Sequence, residues 1–156
     1  MILARIAAAI VSLSGITDEQ AQPIAEAVHA VACPEGETAA CVRHAAALVA
    51  IGYLESGFRS SVALGHVKGD NGRSWGFWQI NCGRAKSCER FLDLDTGAAE
   101  ALRLVLLSEG ACRKHGREAA LRAYASGSCG KGARESRERV RLWFRVEGML
   151  WASQLS

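Results

Sequence analysis

Glu55 and Asp70 are the two carboxylates whose neighbours in the sequence best suit them to chemistry. Glu55 follows an apolar run, Ala45 to Leu54, that reads Ala-Ala-Ala-Leu-Val-Ala-Ile-Gly-Tyr-Leu. The run is too rich in Ala and Leu for an edge strand, and its spacing suits a buried helix that stops at Ser56-Gly57. A Glu in the last turn of such a helix meets the negative end of the macrodipole and apolar neighbours, and both disfavour its charged form. A carboxyl group kept neutral near physiological pH can act as a general acid and protonate a leaving oxygen. On residue type alone a solvated Glu at a helix end is the plainer reading, and the segment downstream reverses that.

Asp70 lies in Gly69-Asp70-Asn71-Gly72, residues that favour a tight turn and tolerate positive φ. Ser61 to Leu64 before it and Trp75 to Ile80 after it are short apolar or aromatic runs suited to small strands or extended structure. Such a hairpin places Asp70 and the rings of Trp75, Phe77 and Trp78 near one surface, with the amides of Gln79 and Asn81 close by. Aromatic faces and amides suit sugar rings, which are apolar on their faces and hydroxylated on their rims. At least one of the two Trp is expected to plug the core of a small lobe instead. Carboxylates about 5 Å apart permit a covalent nucleophile, whereas about 6.5 to 9.5 Å leaves room for an attacking water. A loop Asp across a hairpin from the acid suits the longer spacing, and the whole reads as a glycosidase cleft.

The order Glu55-Ser56-Gly57-Phe58, the Gly69-Asp70 turn, Gly76-Phe77-Trp78-Gln79-Ile80-Asn81 and, much later, Ala123-Tyr124-Ala125-Ser126-Gly127 resembles the goose-type lysozyme and soluble lytic transglycosylase superfamily, phage endolysins included. It spans Ala45 to Gly127 plus a closing helix, and rests on four pieces in order rather than on any one. It implies an α+β, mainly α, lysozyme-like domain with a helical lobe and a small hairpin lobe. Glu55 matches the family's catalytic acid, and Asp70 the acidic residue proposed there to hold or activate water. Gln79 matches a Gln that lines the saccharide groove, and Tyr124 a Tyr that packs against the acid's pocket. Trp75, Trp78, Asn81 and Ser56 complete the expected substrate contacts. Two positions depart from the pattern: Ala125 replaces a usual Asn, and Asn81 stands where some goose-type enzymes have a second Asp.

The implied reaction is cleavage of the β-1,4 bond between N-acetylmuramic acid and N-acetylglucosamine in peptidoglycan glycan strands, without cofactor or metal. If Asp70 is not positioned, Glu55 alone suits a lytic transglycosylase, which leaves a 1,6-anhydro sugar. A lysozyme-like module that binds peptidoglycan without cutting it is the alternative from another class.

The 156 residues suit one domain over 1–156, with a core burying about 70% of the unfolded surface. A net charge of +3 and a pI of about 8.6 suit an anionic wall polymer, though ordinary surface charge explains them equally. The excess is too small and scattered for nucleic acid, and a monomer is expected. Six cysteines fall as Cys33 and Cys41, Cys82 and Cys88, and Cys112 and Cys129, each pair bracketing one loop. Sequential pairing is the expectation among the fifteen possible connectivities. Such loops contribute about 2 to 3 kcal/mol each in the loop-entropy account, and the pattern points to an oxidising compartment, so a periplasmic, secreted or phage-delivered protein. A rival zinc set, His29, Cys33, Cys41 and His44, lacks the tight ligand spacing of structural sites. His66 and His115 read as solvated.

Met1 to Leu13 is apolar except for Arg5. It suits either a folded helix with Leu3, Ile6, Ala7, Ile10 and Leu13 on one face or, over residues 1–15, an export signal or weak anchor with transient membrane contact. Thr17-Asp18-Glu19-Gln20 reads as a capping box opening a helix to about Ala32, through Pro23. A helix starting near Thr96 and ending before Gly116 is apolar all round through Leu107, which predicts the buried central helix of the larger lobe. A short helix over Glu118 to Ala125 carries Tyr124, and a last one from about Ala133 carries a stripe of Val140, Trp143 and Phe144. Its tail, Met149 to Trp151, is expected to pack back on the domain.

Overall fold

The computed structural model describes residues 1–83, 88–116, 118–130 and 135–152, and their regular structure is mainly helical with one small two-stranded sheet. The N-terminal apolar stretch forms α1 (Ile2–Ser14), which buries Ile2, Ile6, Ala7, Ala9 and Ile10 and stops at Gly15. The segment is thus part of the core, and no helix of the described residues is long and apolar enough to cross a membrane. The capping box opens α2 (Asp18–Ala32): Gln20 N–H donates to Thr17 Oγ1 at 3.3 Å while Gln20 Oε1 accepts from Thr17 N–H at 3.0 Å.

Next comes α3 (Ala39–Ser56), capped by Thr38 Oγ1 accepting from Cys41 N–H at 3.1 Å. Every residue from Ala45 to Gly52 is buried, so α3 is covered on all sides. It is the central helix, packed against α1, α2, α5 (Leu94–Ala111) and α7 (Glu135–Trp151). This corrects the expectation for α5, which buries only Gly97, Ala98, Ala101 and Val105 and leaves Leu106 and Leu107 at 45% and 56% exposure. Side-chain size decides between the two helices. The alanines of α3 let neighbouring backbones come close on every side, and Gly52 goes further: a Cβ there would lie 2.6 Å from the Phe58 ring. Large side chains all round α5 cannot all be covered by single neighbours. Each Leu or Ile fully buried on α3 contributes about 1.5 to 3 kcal/mol.

The helix ends where the sequence suggests: Gly57 takes the left-handed conformation, φ 59°, and its N–H donates to Tyr53 O at 2.7 Å. Ser61 to Leu64, expected to be extended, falls largely within the short helix α4 (Ser60–Ala63). The sheet is also displaced from its expected place. Strands β1 (Ser74–Trp75) and β2 (Ile80–Asn81) pair antiparallel, Ser74 with Asn81 and Trp75 with Ile80. The turn between the two strands is therefore Gly76 to Gln79, while Gly69 to Gly72 forms the tight turn expected of it and closes a single antiparallel bridge between Gly69 and Ser74. Gly76 is what fixes the turn there: its φ is 75°, and a Cβ would lie 2.1 Å from Phe91 O.

Helix α6 (Glu118–Ser126) carries Tyr124. On α7 the buried stripe is Val140, Trp143, Val146 and Leu150, while Phe144, expected in it, is 43% exposed and stacked on Trp143. Leu150 packs into the core as its position in the tail suggests, and Trp151 stays 36% exposed. Ala133, the expected start of this helix, lies outside the described residues. The cysteines pair sequentially, Cys33 with Cys41, Cys82 with Cys88 and Cys112 with Cys129. The first bridge removes both sulfurs from the rival zinc set.

Candidate functional site

A cleft of about 480 Å³ opens between the end of α3, the hairpin lobe and the helices behind them. Glu55 lines it from α3, and Gly69, Asp70, Ser74, Gln79, Ile80 and Asn81 line it from the lobe. Leu104 of α5, Tyr124 of α6 and Arg139 of α7 close the rest. The two carboxylates singled out in the sequence thus share one cavity, although fixed by different means.

Glu55 is held by the burial of α3 and by a long-range partner. Its side chain is 23% exposed, and Arg139, at 15%, donates from Nη2 to Glu55 Oε1. Its immediate partner is therefore a cation, which the expectation of a helix end beside apolar neighbours does not include. Ser56, next to it, is 2% exposed: its hydroxyl donates to Gly52 O at 2.7 Å and accepts from Phe58 N–H at 3.1 Å. Ser56 completes the helix stop and does not face the cleft, which corrects its expected role in substrate contact. Tyr124 backs the acid, and its hydroxyl donates to Trp78 O at 3.1 Å. Burial first, and the negative charge of Glu55 second, push the Tyr124 phenol well above its ordinary value. It forms a neutral, hydrogen-bonded wall of the cleft.

Asp70 is held by its own lobe. Ser74 Oγ donates to Asp70 Oδ2 at 2.6 Å and Asn81 Nδ2 donates to the same oxygen at 3.0 Å. These two bonds, in that order and with help from Arg73, hold the Asp70 carboxyl below its ordinary value against a small opposing effect of burial. Asp70 and Asn71 sit at φ 49° and 55°, consecutive left-handed residues that Asp and Asn tolerate better than most. Asn81 also accepts from Gly83 N–H at 2.8 Å, so one amide joins the carboxylate to the end of the hairpin.

Gln79 ties the two turns together. Its Oε1 accepts from Gly69 N–H at 2.7 Å and its Nε2 donates to Gly76 O at 2.9 Å. Gly69 has no room for a side chain there, since a Cβ would lie 2.5 Å from Gln79 Oε1. The Gln79 amide is thus engaged at both ends, and it shapes the cleft rather than offering a free hydrogen-bonding arm.

The aromatic wall is divided between core and surface. Trp78 is 1% exposed and donates from Nε1 to Leu48 O at 3.0 Å, so its ring pins the hairpin to α3 and cannot meet a sugar. Phe77 is buried beside it, edge-on to Phe58 with ring centroids 5.6 Å apart. Trp75 is half-buried, bonds through Nε1 to Gly72 O at 2.8 Å, and lies under the Lys68 ammonium, 3.7 Å from the ring centroid. Neither Trp is among the described residues lining the cleft. The side chain of Ala125 lies outside the described residues.

Sequence reasoning missed Ser74, Leu104 and above all Arg139. A signal for Arg139 exists: it stands four residues before Trp143 and seven before Val146, in register with the apolar stripe of α7 rather than with its solvated arginines. Among the described residues no cluster of His, Cys, Asp or Glu could hold a metal ion. Compared with known proteins, the chain matches no family model, no curated protein and no solved structure.

Proposed function

We propose that this chain is a lysozyme-like glycosidase that cuts the β-1,4 bond between N-acetylmuramic acid and N-acetylglucosamine in peptidoglycan, with Glu55 as general acid and Asp70 as the group that holds the attacking water. The observation that carries the reading is that both carboxylates line one open cleft, from opposite lobes. Glu55 stands on a rigid helix end, as suits a group that must meet a glycosidic oxygen within hydrogen-bond reach. Asp70 stays ionised through its bonds to Ser74 and Asn81, both on Oδ2, which leaves Oδ1 to bind a water.

In the reaction, the proton of Glu55 passes to the glycosidic oxygen as the bond to the muramic C1 breaks. Positive charge develops on the sugar ring, and a water oriented by Asp70 adds to C1 and gives its proton to that carboxylate. Glu55 must carry a proton when the substrate is in place, so the bond from Arg139 has to part first. Asn81, Ser74, Leu104 and Tyr124 supply the polar and apolar walls against which the glycan lies. The three disulfides suit work in the periplasm or outside the cell, with the protein as a monomer. Digestion of purified peptidoglycan in heavy-oxygen water tests the reading. Label on the reducing muramic C1 is expected; unlabelled 1,6-anhydro ends would remove Asp70 from the mechanism and make the chain a transglycosylase.

A further inference from the structure

Arg139 is the one cation among the described residues that line the cleft, and it is spent on the acid itself. Its guanidinium is anchored by a helix whose Val140, Trp143 and Val146 are buried, so it cannot drift far from the cavity. Only one of its five N–H donors is engaged by Glu55, and the Nε is buried without a hydrogen-bond partner among the described residues. An orphaned buried donor on a charged fork is costly to leave, and an incoming carboxylate that used both Nε and Nη would satisfy it.

We propose that Arg139 is a specificity-determining residue: it exchanges Glu55 for a carboxylate borne on the side arm of the glycan, so that only an anionic glycan releases the acid for catalysis. This rests on the glycosidase reading above. The exchange trades one guanidinium–carboxylate pair for another, so the desolvation of Arg139 is not met again and only that of the incoming carboxylate is new. As the guanidinium turns to the substrate, Glu55 takes one proton from the solvent and delivers it to the glycosidic oxygen, and the proton that the attacking water leaves on Asp70 returns to the solvent, so the cycle closes with no net proton gained or lost. A neutral glycan makes no such exchange, and Glu55 stays paired.

The positions fit the task. Glu55 and Arg139 are 84 residues apart in sequence and meet only because α3 and α7 pack together, so the contact reports a built site and not local helix pairing. The wall around them is otherwise neutral or acidic, and a second anion entering this cleft finds no other fixed positive group among the described lining residues.

The test compares two substrates on three proteins. The substrates are a glycan oligomer with free stem-peptide carboxylates and the same oligomer with those carboxylates converted to methyl amides. For the wild type, kcat/KM should favour the free acid by about ten- to a hundredfold, the worth of one charge-assisted pair. Arg139→Gln should bring the ratio to near unity, and Arg139→Lys should keep a reduced preference. A wild type with no preference overturns the assignment without any variant, and so does an Arg139→Gln protein, folded by its thermal transition, with an unchanged ratio. Cleavage of neither oligomer by the wild type would instead sink the glycosidase reading and this inference with it.

Discussion

The end of α3 and the hairpin lobe each present one carboxylate to the same cleft, and they hold it in opposite ways. At the end of α3, position comes from apolar burial: residues Ala45 to Gly52 are covered on every side, and Glu55 projects from that anchored end to meet a partner on α7. In the lobe, position comes from polar ties of short reach: Ser74 and Asn81 on Asp70, and Gln79 between Gly69 and Gly76. Burial gives rigidity and long-range coupling; hydrogen bonds in a partly wet lobe give geometry with little stability. The lobe depends on the helix in one more respect, since Trp78 fixes the hairpin to α3 through Leu48 O.

The comparison can be broken most severely at Glu55. Glu55→Gln keeps an oxygen for Arg139 Nη2 but removes the ion pair, so the protein should still fold with a cooperative, somewhat lowered thermal transition while kcat falls by roughly a hundred- to ten-thousandfold, the worth of a positioned acid. Near-normal turnover would remove Glu55 from the chemistry and leave α3 with a purely structural end. Next in size is Trp78→Ala, which vacates a buried site and frees Leu48 O. It should cost about 3 to 5 kcal/mol in denaturant unfolding. A loss of glycan affinity with stability intact would return Trp78 to the sugar-binding wall and contradict its burial.

Gln79→Ala separates the lobe from the core more gently. It removes the stronger of two acceptors from Gly69 N–H, leaving Ser74 O at 3.1 Å, and should cost about 0.5 to 1.5 kcal/mol. Activity should fall further than stability does, because Asp70 follows the loosened turn. The smallest effect belongs to Asp70 itself. Its folded-state titration lies below the ordinary value, so the stabilisation from Ser74 and Asn81 is complete above the unfolded value. It is lost as pH falls through the lowered one. Ser74→Ala removes the largest cause, and NMR titration of the Asp70 carboxyl should then move upward; no movement would mean that the hydroxyl does not hold it.

The same contrast explains what the sequence makes legible. Local rules carry the capping box at Thr17, the stop at Gly57, the helical nature of α3 and the three loop-closing disulfides, because each depends on residues a few places apart. They also bring Glu55 and Asp70 forward as a pair. Local rules fail where the outcome depends on what packs from elsewhere. The all-round apolar pattern of α5 suggests the centre of the fold, but the small residues of α3 win that place because they admit neighbours on every side. The Gly69 to Gly72 segment makes the turn its composition suggests, closing one bridge from Gly69 to Ser74, yet the two-stranded sheet turns at Gly76, where the backbone of Phe91 leaves room for glycine alone. Trp78 and Trp75 look equivalent in the sequence and differ in burial, because α3 lies beneath only one of them. Arg139 could be suspected from its register on α7, but its partner, 84 residues away, follows only from the packing of two helices.

The most direct measurement is the release of soluble sugar fragments from purified peptidoglycan by the wild-type protein, read by mass spectrometry. Disaccharide-peptide fragments ending in reducing muramic acid are expected. Saturable binding to the polymer with no fragment released would contradict it and leave a peptidoglycan-binding module in place of an enzyme.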